Sequence, residues 1–142
     1  MQALRPLSGG ASRHTSSFDL VASDGTAQAL IVQVDRGSSR VSPSSVEVEA
    51  RLLDAASRAG VPVARLVATG RIEDTGQGWL VVERLDGEVL ARRLLRDDAW
   101  RGARAALAGQ CGAALAAIHR IDPATIPGLA TRDPVSDPLG IL

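Results

Sequence analysis

At 142 residues the chain has the length of a single domain or of a piece of a larger one. Apolar residues make up 45% of it, yet only one Phe and two Trp are aromatic, so a core has to be built from small and aliphatic side chains. Sixteen basic residues balance sixteen acidic ones, which argues against nucleic acid or an anionic membrane as partner, and the single cysteine excludes an internal disulfide framework.

The opening "MQALRPLSGG" lacks the apolar centre of a signal peptide, and no apolar run approaches the roughly 20 residues that cross a bilayer. The expected location is the cytoplasm. All sixteen of those basic residues are arginine, so each is a fork suited to anions.

In chain order, residues 2–8 are a candidate edge strand. "LSGGASRHTSSFDL" (7–20) follows, with Gly9 and Gly10 set among hydroxyl residues. A Gly-Gly pair alone reads as a tight turn. It fits neither phosphate-loop template, because there is no G-x-G-x-x-G and no lysine for the other. Residues 16–22 read as a strand, and Asp24-Gly25 signals a hairpin. Residues 28–35 form the returning strand, with Leu30, Val32 and Val34 alternating onto one face.

A Ser-rich loop (37–45) containing Pro43 leads into a helix over 44–60, with a Ser N-cap and Gly60 at its end. Glu47–Arg51 and Asp54–Arg58 are spaced as i,i+4 pairs. Val46, Ala50, Leu53 and Ala56 form the apolar stripe. Glu49 falls where the core should be. It is either a boundary residue snorkelling to water or a carboxylate facing a cleft.

Two further strands, 61–69 and 79–85, are joined by the polar turn "GRIEDTGQG". "DGE" (86–88) breaks the chain, and helical segments follow at about 89–96 and 98–119, the second capped by Asp97 or Asp98. Cys111 lies in that second segment and reads as a small buried thiol. The tail, 123–142, is Pro-rich and reads as a loop. The fold class is α+β, with one antiparallel sheet of about five strands and a helix packed on it.

Four phrases in this order carry a resemblance: "LSGGASRHTSSFDL", "VEVEARLLDAASRAGVPVARLVATG", "GWLVVERLDGE" and "LAAIHRIDPATIPGL". The chain resembles the aminoglycoside phosphotransferase (APH) superfamily, whose architecture is that of the protein kinases. The resemblance covers most of residues 7–129. It implies a kinase-like N-lobe over 1–85, a hinge at 86–88, the first helices of a C-lobe over 89–122 and a Pro-rich loop over 123–142.

It also implies roles. Gly9, Gly10, Ala11, Ser12 and Arg13 would position the phosphates of ATP, the glycines by letting backbone N–H groups approach them. Glu49 would hold the cation of the third strand against the α- and β-phosphates. The backbone of Glu83 and Leu85 would meet the adenine edge. ATP and Mg²⁺ are the implied cofactors, and a small hydroxylated molecule is the implied phosphate acceptor. His119 matches a histidine usual at this helix end, where a cation suits the dipole.

Two departures stand out. The third-strand cation is replaced by Gln33, with Arg36 just beyond as a substitute if the register slips. The H-G-D catalytic loop and the Asp that binds Mg²⁺ do not occur, since neither His14 nor His119 is followed by Gly-Asp. No catalytic residue and no metal ligand is assigned. The expectation is the nucleotide-binding part of a phosphotransferase, inactive alone and reliant on a missing lobe. The alternative is a truncated remnant that binds a nucleotide without catalysis, or a protein-interaction domain.

Overall fold

The computed structural model describes residues 2–7, 13–36 and 46–129. Five strands form one antiparallel sheet: β1 (Gln2–Leu7), β2 (Arg13–Val21), β3 (Ala27–Asp35), β4 (Leu66–Arg71) and β5 (Gly78–Glu83). Their spatial order is β1-β2-β3-β5-β4. Helix α1 (Val46–Arg58) connects β3 to β4. Beyond β5 come α2 (Ala91–Arg96) and α3 (Arg101–Ile118), with short 3-10 turns at Asp98–Trp100 and Pro123–Thr125.

The β2–β3 hairpin closes on Ala22–Thr26. The Gly25 N–H donates to the Ala22 carbonyl (3.0 Å), and Gly25 has φ +85°. This is a turn followed by a left-handed glycine, the geometry in which Gly avoids a Cβ clash. The Asp24 carboxylate accepts from the Thr26 N–H (2.8 Å), which holds its pKa below the ordinary value.

Helix α1 ends in a Schellman motif. The Val61 N–H reaches the Ala56 carbonyl (2.9 Å), the Gly60 N–H reaches that of Ser57 (3.1 Å), and Gly60 takes φ +78°. That cap moves the next strand. Residues 61–65 carry the cap and Pro62, which has no N–H to give a ladder, so β4 starts at Leu66 and not at 61.

Val46, Leu80 and Val82 form the core between α1 and the sheet, with Ile31, Leu53, Ala64 and Leu66 packed around them. Val81, between Leu80 and Val82 in β5, faces the other side. The register pairs Gln33 with Leu80 and Ile31 with Val82, so these residues share the helix face. Leu30, Val32, Val34 and Val81 therefore lie on the opposite face, although Leu30 is fully buried there. Burial of three aliphatic side chains such as Val46, Leu80 and Val82 stabilises the helix–sheet contact by about 1.5–3 kcal/mol each.

The expected Glu47–Arg51 pair does not form. Glu47 bonds Arg71 of β4 (2.7 Å), and Arg51 donates to the Pro127 carbonyl (2.6 Å). Asp54 and Arg58 do pair. Tertiary partners thus outcompete a weak helix-surface pair. Asp97 and Asp98 make no side-chain cap, and Trp100 is the N-cap of α3. Asp98 instead pairs with Arg101 (2.8 Å), while Arg104 donates to the Leu94 and Asp97 carbonyls at the end of α2.

Cys111 is exposed, which corrects the buried-thiol expectation. Among the described residues of α3 only Ala117 is buried, so most of that helix has nothing packed on it. His119 sits at the C-cap of α3, and its N–H donates to the Leu115 carbonyl (3.0 Å). The loop after α3 returns to α1: Ile126 is buried, and a Cβ on Gly128 would lie 3.2 Å from Val48. Among the described residues, no helix is long and apolar enough to cross a membrane.

Candidate functional site

The hairpin register sets the site. Counting back from the turn at Gly25, Arg13 lands opposite Asp35 and Thr15 opposite Gln33. Alternation then places Arg13, Thr15, Gln33 and Asp35 on the face that carries α1. Glu49 lies in the first turn of α1, three residues from the buried Val46. Its position on the helix directs it back toward that face.

The three elements meet on Arg13. Its Nε donates to Asp35 Oδ1 at 3.0 Å, and its Nη1 lies 2.6 Å from Glu49 Oε2 and 3.2 Å from Gln33 Oε1. The Arg13 side chain is only 12% exposed, against 32% for Asp35 and 35% for Glu49. The guanidinium is thus largely withdrawn from water while the carboxylates keep an opening. Two carboxylates hold it in a fixed orientation, and Gln33 supplies a neutral acceptor.

The start of β5 closes the back of this cluster. Gln77 Nε2 donates to the Asp35 carbonyl (2.6 Å). Gly78 is so close that a Cβ there would lie 3.0 Å from both Asp35 Oδ2 and Val46 Cβ. Close approach of backbone is what glycine permits here.

At the far end of β5 lies the expected hinge. Glu83 is paired with Leu30, about 10 Å along the strand from Gln33 at roughly 3.3 Å per residue. Its N–H donates to the Arg65 carbonyl (3.0 Å), and its carboxylate accepts from the Arg65 N–H (3.1 Å). Leu85 follows on an exposed, irregular segment, and its backbone has no partner among the described residues.

Glu49, Arg13 and Gln33 are therefore brought together, while Glu83 and Leu85 lie at the other end of the sheet. Gly9, Gly10, Ala11 and Ser12 lie outside the described residues. Arg36 is exposed past the end of β3, and the cation that engages Asp35 and Glu49 is Arg13. Asp35 was not singled out from sequence. The hairpin register, fixed by Asp24-Gly25, was the signal that could have found it. Among the described residues, no group of three or more His, Cys, Asp or Glu could hold a metal ion.

A model of the phosphotransferase enzyme family (APH) matches residues 3–139. No curated protein matches the chain.

Proposed function

The chain belongs to the phosphotransferase enzyme family, and from that premise we propose that it forms the nucleotide-binding part of an ATP-dependent phosphotransferase acting on a hydroxyl of a small molecule. The observation that carries the reading is the Arg13–Glu49 ion pair at 2.6 Å. Phosphoryl transfer is catalysed mainly by positioning and by electrostatic stabilisation, so a cation locked by a helix carboxylate beside a strand is the part such a site needs.

ATP would supply the γ-phosphoryl group, and Mg²⁺ would neutralise charge on its β- and γ-oxygens. Arg13 suits phosphate oxygens as a donor, with Gln33 accepting from it; the described residues offer no cluster that suits the metal. Gly9 and Gly10 would let backbone N–H groups approach the same phosphates. The Leu85 N–H and the Glu83 carbonyl would take the adenine edge.

The general base and the metal ligands do not occur as an H-G-D loop in these residues. On this reading the chain alone binds nucleotide weakly and transfers no phosphoryl group. Titration calorimetry with Mg-ATP, with a Gly10→Val variant beside the native chain, tests it. Weak saturable binding lost in the variant is the expected result, and any turnover would overturn the inactive reading.

A second reading, an interaction domain without nucleotide, draws on Val89, Leu90 and Leu95, which stand exposed on and before α2. It predicts no effect of Mg-ATP on thermal stability.

A further inference from the structure

We infer that Arg13, from β2, supplies the phosphate-binding cation that Gln33 leaves out of β3, with Asp35 and Glu49 as positioning residues; the inference rests on the nucleotide-binding reading above. Gln33 stands at the strand position expected to be cationic, and its side-chain oxygen is turned to accept from Arg13 (3.2 Å). The charge has moved one strand across and kept its helix partner.

The contacts define which part of the guanidinium is left to work. Asp35 takes Nε, while Glu49 and Gln33 take Nη1. Among the described residues Nη2 has no partner. Its two N–H groups are donors whose direction is set by the planar fork, so an anion meets them without further ordering cost. With the side chain 12% exposed, that contact is less screened than on the open surface.

Other cations near α1 are committed elsewhere. Arg51 holds the Pro127 carbonyl, and Arg71 holds Glu47 and the Gly76 carbonyl. The two carboxylates outnumber the guanidinium, so the cluster repels bare anions and favours a nucleotide that arrives with its own cation.

The test uses the native chain and two variants. Mg-ATP and adenosine are each titrated into the native chain, Arg13→Met and Arg13→Met/Gln33→Arg, with each variant's folding checked by circular dichroism. Arg13→Met is expected to weaken Mg-ATP binding by about tenfold or more while adenosine binding stays unchanged. Restoring a β3 cation in the double variant should recover most of the loss. In the native chain, the Arg13 Nε–H NMR signal should shift with Mg-ATP and not with adenosine, a readout that needs no variant to fold.

Native binding of Mg-ATP with a stationary Arg13 signal, or undiminished binding by a folded Arg13→Met, overturns the role of Arg13 and leaves the nucleotide reading standing. A native chain that binds neither Mg-ATP nor adenosine overturns both.

Discussion

Arg13 and Glu49 join the second strand of the sheet to the helix that crosses it, at 2.6 Å, in a contact that also includes Asp35. Removing the cation leaves two carboxylates facing one another. Arg13→Ala should therefore cost about 2 kcal/mol, below the ~3–5 kcal/mol of a fully buried pair because the carboxylates are partly solvated. Glu49→Gln keeps a hydrogen-bond acceptor and should cost about 1 kcal/mol. Urea unfolding checks the order; equal losses would mean that Asp35 and Glu49 do not repel.

Gly78→Ala tests the close approach behind that cluster. The new Cβ would meet Val46, itself only 1% exposed, and the Asp35 carboxylate. Val46 has no room to yield, so overpacking should cost about 1–3 kcal/mol. A thermal melt reads the loss, and an unchanged midpoint would show that α1 can shift outward freely.

Gly60→Ala isolates backbone conformation from packing. A Cβ there meets nothing within 4 Å, but the residue holds φ +78°. Destabilisation of about 1–2 kcal/mol is expected from the left-handed conformation alone. Gly87→Ala, which also meets nothing within 4 Å and has no positive φ, should be near neutral in the same assay.

Glu88 caps α2 from outside the helix. Its carboxylate accepts from the Leu90 N–H (2.9 Å) and pairs with Arg93 (3.3 Å). The Leu90 hydrogen bond, and after it Arg93, hold its pKa below the ordinary glutamate value. Because the folded pKa is depressed, this stabilisation is complete above the ordinary value and disappears as pH falls through the depressed one. Amide exchange at Arg93 and Leu94, both bonded to the Leu90 carbonyl, should accelerate over that acidic window. Glu88→Gln should remove most of the pH dependence, and a dependence that survives would assign it to another group.

The strands and α1 were legible because alternation and turn chemistry agree over 13–35 and 46–60. The face of β5 was not. Trp79, Leu80, Val81 and Val82 are apolar in succession, so period two carries no information, and only pairing with β3 assigns Leu80 and Val82 to the helix. The start of β4 was obscured because "VPVAR" has strand-forming residues, while its first residue is consumed by the helix cap. At the candidate site, Glu49 was visible as a charge in an apolar stripe. Its partner was not, because the usual β3 position holds Gln33 and the cation comes from β2.

The strand order has a consequence for assembly. β5 is inserted between β3 and β4, so the inner edge of β3 stays unsatisfied until α1 and β4 have both been laid down. The β1–β2–β3 half has only local pairings and can form first, with a bare ladder along β3 that another chain could capture. That edge is expected to stay open until Gly78–Glu83 pairs with it, a delay that pulse-labelling of the β3 amides would time.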